Sequence, residues 1–282
     1  VATVREALTA SADALAAAGV EGARLDAEVL LAEATGWDRT RLVVDPEAGV
    51  PASAARLFGE MARRRLRREP VAYIVGHRGF RHLELMVDRR VLIPRPETEL
   101  LVELALELQP SSVLDVGTGS GAIALAIAAE LPGCRVVATD TSSAALEVAR
   151  ANAERLGLRD RVRLAEGTVP AAGEFDLVVA NLPYVAEREW AGLQPEVTQW
   201  EPREALLAGP DGLDAIRAFI PECVRSFSRS ERQRANGAPV VALEVGEGQA
   251  PAVGELLRAA GFSAVEIRPD LAGIPRLLWA RR

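Results

Sequence analysis

The chain has 282 residues, 49% of them hydrophobic, and a formal net charge of −7; it is longer than one usual compact domain, so two domains are expected. The acidic balance argues against a protein that depends on phosphate contacts, because nonspecific nucleic-acid affinity rests on clustered cations. No apolar run approaches the ~20 residues of a membrane span, and the start VATVREALTA lacks the basic-then-apolar build of a secretion signal. The expectation is a cytoplasmic protein with no membrane partner and no stable nucleic-acid partner.

Two cysteines far apart, Cys134 and Cys223, form neither a zinc knuckle nor a disulfide framework and read as small buried hydrophobes. All 33 basic residues are arginine. Beside the abundant alanine, this looks like a GC-rich coding habit and carries no functional signal. The one basic run, Arg63-Arg64-Arg65-Leu66-Arg67-Arg68, reads first as a solvated helix face and second as a surface for an acidic partner.

The first 70 or so residues have helical patterning. Thr3 and Glu6 have the spacing of a capping box before a helix that stops at Gly19. A second helix follows, with Leu25, Val29 and Leu30 on one face and Gly36 at its end. A third runs from about Ala52 to Arg68, with Leu57, Phe58 and Met61 as its apolar stripe and Pro70 blocking continuation. From Val71 the pattern changes. Val71–Ile74, Phe80, Leu83, Leu85, Val87, Val91 and Ile93 suggest short strands or a hairpin, and the run Ile93-Pro94-Arg95-Pro96 marks the domain junction.

From Glu97 on, apolar strands alternate with helices. Val113–Val116, Val136–Thr139, Val162–Leu164, Leu177–Ala180, Val240–Val245, Ala264–Ile267 and Leu277–Ala280 are the strand candidates, and Ser142–Leu156, closed by Gly157, is one of the intervening helices. Such alternation implies an α/β fold with a mostly parallel sheet covered on both faces. No internal repeat is visible. Ser226–Ala238 is polar, small and charged, and reads as a mobile surface loop.

Gly117-Thr118-Gly119-Ser120-Gly121 follows the first apolar strand and precedes the helix Ala122–Glu130. Such glycines permit a tight turn and close backbone approach, while the helix N-terminus favours an anionic group. Asp140 lies about 20 residues further on, where an acid accepts the ribose hydroxyls of either NAD or S-adenosylmethionine. The glycine spacing does not choose between them. Asp115, just before the glycines, is placed to receive the donor's amino-acid end or to fix the loop.

Asn181-Leu182-Pro183-Tyr184, at the end of the apolar run Phe175–Ala180, sets the reaction type. The nitrogen of an amide or exocyclic amine is a poor nucleophile because its lone pair is delocalised. A site that methylates it must hold the NH2 between two acceptors and stabilise positive charge growing on nitrogen. The side-chain carbonyl of Asn181 and the backbone carbonyl of Leu182 supply those acceptors, Pro183 stiffens the turn, and the Tyr184 ring packs on the flat acceptor. The only histidines, His77 and His82, lie in the expected linker, no serine or cysteine sits at a nucleophile elbow, and metal-ligand spacing is absent. The expectation is therefore no metal.

Leu92-Ile93-Pro94-Arg95-Pro96-Glu97-Thr98-Glu99 is the most specific run. After it come the glycine loop, the tetrapeptide, Glu201-Pro202, Ala205-Leu206, Gly209, Asp211-Gly212-Leu213, Leu243-Glu244-Val245-Gly246 with Gln249, and Ala272-Gly273 with Arg276. In this order the chain resembles the peptide-chain-release-factor glutamine methyltransferases, which methylate the glutamine amide of the Gly-Gly-Gln loop. The resemblance implies a seven-stranded Rossmann-like class I methyltransferase sheet over residues 96–282. It also implies a helical domain over residues 1–74 that docks the release factor, with a linker at 75–95. S-adenosylmethionine would be contacted by Asp115, Gly117, Thr118, Gly119, Ser120, Gly121, Asp140, Thr168 and Asn181, with Asn181, Leu182, Pro183 and Tyr184 holding the glutamine.

Two departures from the family pattern stand out. Leu182 replaces the usual first proline of Asn-Pro-Pro-Tyr, at a position that contributes a backbone carbonyl. The segment Glu166-Gly167-Thr168 lacks the acid-then-aromatic pair often found near the adenine. Glutamine methyltransferases acting on a ribosomal protein resemble the chain too but usually lack the Pro-Arg-Pro-Glu-Thr form. RNA or DNA adenine methylation is the other alternative, since Asn-Leu-Pro-Tyr is typical of ribosomal-RNA adenine dimethyltransferases. A degenerate fold kept as a binding module is disfavoured by intact Asp140, Asn181 and Tyr184.

Overall fold

The structure, a computed structural model, describes residues 2–170, 174–228 and 238–282. The chain divides into two compact units, Val1–His77 with Gln194–Trp200, and Arg78–Leu193 with Glu201–Arg282.

The first unit is helical. Thr3 caps the Val4–Ala17 helix through the reciprocal bonds of a capping box with Glu6. Along Ala23–Thr35 the buried face is Ala27, Leu30 and Leu31, while Leu25 is half exposed, so the expected stripe was displaced around the helix. The Ala52–Leu66 helix buries Ala54, Phe58, Met61 and Arg65, a helical period in which Arg65 takes an interior position and Leu57 does not. This corrects the solvated reading of the basic run. Arg65 is 5% exposed, with Nε donating to Asp26 at 2.7 Å and a second nitrogen 2.7 Å from Glu196. Arg68 reaches the other oxygen of Glu196 at 2.6 Å, and Arg64 pairs with Glu69 at 2.6 Å. Arg63 and Arg67 remain exposed.

Two short helices escaped the pattern. Arg39–Val44 is capped by the Asp38 side chain. Val71–Val75, read as strand from its β-branched residues, is a single helical turn that starts after Pro70 and ends at Gly76 in the left-handed region, φ 85°. Burial of Ala72, Tyr73 and Ile74 overrides their local propensity.

A hairpin, β1 (His77–Phe80) and β2 (Leu83–Met86), which belongs to the second unit from Arg78 on, precedes the seven-stranded sheet. Phe80 and Leu85 lie in the same core as Leu101, Leu125 and Val179, so residues 78–95 belong to this unit and form no linker. The sheet strands are β3 (Ser112–Val116), β4 (Arg135–Asp140), β5 (Val162–Glu166), β6 (Leu177–Ala180), β7 (Val240–Glu244), β8 (Ser263–Pro269) and β9 (Pro275–Arg281). All seven coincide with the sequence candidates. Their order is β5-β4-β3-β6-β7-β9-β8, parallel through β7, with β9 antiparallel to β7 and β8 antiparallel to β9. Two apolar layers flank it, one including Ile123 and Ile127 and the other Ile216 and Phe219. Of the stretch 226–238, residues 226–228 close the Asp214–Ser228 helix, and 229–237 lie outside the described residues.

Candidate active site

After β3 the chain moves outward to β4 and β5 on one side, then returns to build β6 and β7 on the other. That reversal leaves a crevice beyond the carboxyl ends of β3 and β6, the usual ligand position of an open parallel sheet. Register aligns Val116 with Thr139 and Ala180, and Ala180 with Leu243. The residues that follow, Gly117, Asp140, Asn181 and Glu244, therefore emerge along one edge.

The backbone N–H groups of Gly117 and Thr118 both donate to the Thr139 carbonyl, at 2.8 and 2.9 Å, which folds the loop over the sheet edge. Gly117 and Gly119 have φ of 75° and 57°, a region costly for residues with a Cβ. A Cβ on Gly117 would stand 3.4 Å from the Leu182 side chain, whereas nothing lies within 4 Å of one built on Gly119. Gly117, Gly119, Asp140, Thr168, Asn181, Leu182 and Pro183 line one cleft, with Val91, Leu92 and Ala205 as part of its apolar wall. Thr118 and Ser120 border a smaller adjoining recess together with Arg95, Thr98 and Asn181.

Asp140 is partly buried. One of its oxygens accepts from Gly119 N at 2.9 Å and the other from Ser142 N at 2.9 Å. A carboxylate has about four lone-pair positions, so two remain for ligand hydroxyls. Open space over Gly119 beside a carboxylate, along an apolar wall, fits a nucleoside with a vicinal diol. Asp115 and Gly121 sit apart from that cleft. The buried Asp115 accepts from the Thr118 hydroxyl at 2.6 Å and from Ala124 N at 3.2 Å, the geometry of a loop-fixing residue. Burial pushes its pKa up to about 7 against those two bonds. A Cβ on Gly121 would lie 2.8 Å from the Leu125 side chain, so this glycine serves helix packing.

At the other end of the cleft, Asn181 Nδ2 donates to Thr98 Oγ1 at 3.0 Å. The Thr98 hydroxyl lies 2.6 Å from one oxygen of Glu244, and the Tyr184 hydroxyl donates to the other at 3.3 Å. The Tyr184 carbonyl is held by Gln249 Nε2 at 2.8 Å. Glu244 is only 3% exposed. Burial pushes its pKa up to about 7, with the charge of Glu97 adding to the rise and Thr98, Tyr184 and Arg276 opposing it. Burial likewise raises the Tyr184 phenol, which keeps it a neutral donor. Glu201 accepts from Ile93 N at 3.1 Å and pairs with Arg95, fixing the run that carries Thr98.

Thr98, Glu244, Gln249 and Glu201 were not assigned site roles from the sequence. The signal that could have found Glu244 is a carboxylate ending an otherwise apolar strand, on the side of the sheet where ligands bind.

Residues 6–76 match the model of the PrmC N-terminal domain, and residues 96–196 match that of the Methyltransferase small domain. A protein of Caulobacter vibrioides named release factor glutamine methyltransferase is 41% identical, over 98% of this chain and 95% of its own length. Relatives of the same name from Moorella thermoacetica and Geobacter sulfurreducens are 43% and 40% identical, each over 99% of this chain and over 99% and 96% of their own lengths. The chain belongs to the release factor glutamine methyltransferase family. Among solved structures, the catalytic domain of hMettl16 in complex with the MAT2A 3'UTR hairpin 6 has a TM-score of 0.53 at 17% identity, covering 70% of this chain and 74% of its own. A methyltransferase from Pyrococcus furiosus has 0.51 at 20%, covering 71% and 88%. At such identities these two carry the fold alone, and they establish the methyltransferase sheet for this member of the family. Among the described residues no helix is long and apolar enough to cross a membrane, and no group of three or more His, Cys, Asp or Glu is placed to hold a metal ion.

Proposed function

We propose that this chain methylates the side-chain amide nitrogen of the glutamine in the Gly-Gly-Gln motif of peptide chain release factors, with S-adenosylmethionine as donor. The observation that carries the reading is the pairing, in one cleft, of a diol-binding carboxylate at Asp140 with Asn181 and Leu182, whose carbonyls suit an NH2 group. Family membership supplies the substrate class.

When bound, S-adenosylmethionine supplies a sulfonium methyl group open to attack. Asp140 would hold the ribose hydroxyls, Gly117 and Gly119 would let the donor lie against the backbone, and Thr168 would border the adenine. Asn181 Oδ1 and the Leu182 carbonyl accept the two amide hydrogens, aim the nitrogen and stabilise the positive charge that grows on it. The Tyr184 ring packs on the flat carboxamide. No strong base is needed at the outset, since the N–H to be lost already lies against a carbonyl.

The helical unit, residues 1–77 with 194–200, is the proposed docking surface for the release factor. Because Arg64, Arg65 and Arg68 are occupied internally, only Arg63 and Arg67 of the basic run are presented to a partner. An enzyme with this substrate works where translation does, in the cytoplasm.

The test is methyl transfer from labelled donor to a release factor, to the same factor with the Gly-Gly-Gln glutamine replaced by alanine, to a ribosomal protein and to ribosomal RNA. Label on the intact factor alone is the expected result. Label on RNA, or on the alanine-substituted factor, would overturn the reading.

A further inference from the structure

The hydrogen bonds around Asn181 have a direction. A threonine hydroxyl has one proton to give and two lone pairs to accept with. Thr98 Oγ1 donates to Glu244 at 2.6 Å and accepts from Asn181 Nδ2 at 3.0 Å. Above about pH 7, where Glu244 is a carboxylate with acceptors only, no other direction is open, and Thr98 meets Asn181 with a lone pair. Asn181 must then turn its NH2 toward Thr98 and leave its carbonyl for the cleft. Among the described residues none donates to that carbonyl oxygen. Rotating the amide by half a turn would set its carbonyl against a hydroxyl with no proton left. It would also present an NH2 to a substrate NH2, donor against donor.

The choice of a carboxylate is itself informative. Burying a charge at the end of β7 carries a solvation cost. A glutamine at 244 would satisfy both the Thr98 and Tyr184 hydroxyls without that cost. It would carry one donor and one acceptor, however, and would leave the proton of Thr98 free to point either way. Glu244 in its carboxylate form only accepts, and so dictates the direction of the chain of bonds.

We propose that Glu244 and Thr98 are a positioning pair that fixes which end of the Asn181 amide faces the reacting carboxamide, and so confers the site's preference for an NH2 acceptor. This rests on the reading of the cleft as a glutamine-amide methyltransferase site. Glu244 touches neither donor nor acceptor; it acts through Thr98. The same carboxylate holds the Tyr184 hydroxyl, so both ends of the acceptor tetrapeptide answer to one charged group.

The experiment compares Thr98→Val, which keeps the shape and deletes the hydroxyl, with Thr98→Ser, which keeps the hydroxyl, and with Glu244→Gln. Turnover on full-length release factor is measured at saturating donor, beside calorimetric donor affinity. Losing one preorganised hydrogen bond is expected to lower Thr98→Val turnover by about 10-fold or more, with donor affinity within about twofold. Thr98→Ser recovers most of that loss, and Glu244→Gln falls between the two. Parent-like turnover in Thr98→Val, or a Thr98→Ser variant no better than Thr98→Val, would overturn the pair.

A second readout needs no substrate. Exchange of the Asn181 side-chain amide protons, assigned by their loss in Asn181→Asp, is followed by NMR. Protection in the parent and in Thr98→Ser, with its loss in Thr98→Val, supports the relay even if release factor proves not to be the acceptor. Unprotected protons in the parent would sink it while leaving the proposed function standing.

Discussion

The Asp140 carboxylate holds the backbone N–H of Gly119 at 2.9 Å, so the residue proposed to take the donor's ribose also sets the glycine loop on which the donor would lie. Asp140→Ala should therefore cost affinity twice, through lost ribose bonds and through a relaxed loop. Charged hydrogen bonds contribute about 1.5–3 kcal/mol, which corresponds to a rise of roughly 10- to 150-fold in the donor dissociation constant. Isothermal titration with S-adenosylmethionine measures it. Unchanged affinity in a folded variant would remove Asp140 from the donor site.

A second prediction concerns Arg65, which occupies a core position of its helix and is neutralised by Asp26 and Glu196. Removing one partner from a buried ion pair leaves an uncompensated charge, at a cost of about 3–5 kcal/mol. Arg65→Ala should accordingly destabilise the helical unit by that amount. Arg67→Ala, at an exposed position of the same run, should change stability by no more than about 0.5 kcal/mol. Denaturant unfolding followed by helical circular dichroism separates them, and equal effects would contradict the internal role given to Arg65.

Arg65 also shows why parts of the chain resisted reading from sequence. Positions 54, 58, 61 and 65 follow one helical face, yet an arginine there looks like surface until the acids that meet it, 39 residues upstream and in the segment 194–200, are known. Strands were easier, because buried parallel strands are short apolar runs whose pattern needs no partner to be seen. The glycine loop, Asp140 and the tetrapeptide were visible for a related reason, as local spacing carries them. Thr98 and Glu244 were not. They lie 146 residues apart, one just before the Glu99–Leu108 helix and the other at the end of β7, and meet only in the folded chain. Val71–Val75 failed in the opposite sense, since its composition favours strand while Pro70, Gly76 and burial impose a helical turn.

Asp115 gives the sheet unit a pH dependence of definite sign. Burial raises its pKa from the ordinary value of 3.8 to about 7, with bonds from Thr118 and Ala124 opposing the shift and the charge of Asp140 adding to it. Between those two values the native state binds more protons than the unfolded chain. The stability Asp115 contributes is thus fully present below pH ~4 and is lost as pH rises through about 7. Asp115→Asn removes the titrating group. Its stability relative to the parent should improve from pH 5 to about pH 7 and level off above it in urea unfolding, and a difference that stays flat across that range would show that Asp115 does not titrate there.

Asn181→Ala tests the acceptor site most directly. The substitution deletes the NH2 that anchors the side chain on Thr98 and the carbonyl proposed to meet one amide hydrogen, while leaving the Leu182 carbonyl and the proposed ribose contacts of Asp140 in place. With one of two acceptors gone, the substrate nitrogen is misaimed and the charge growing on it is less well stabilised. By analogy with the loss of one preorganised catalytic hydrogen-bonding group, turnover should fall on the order of 100-fold or more. Binding of S-adenosylmethionine should weaken far less than turnover, because the cleft from Asp140 to Gly117 keeps its shape. Single-turnover transfer to release factor, read beside donor calorimetry, separates the two quantities. A variant that keeps its turnover would show that the amide is held by other groups, whereas a matched loss of donor affinity and turnover would assign Asn181 to the donor alone.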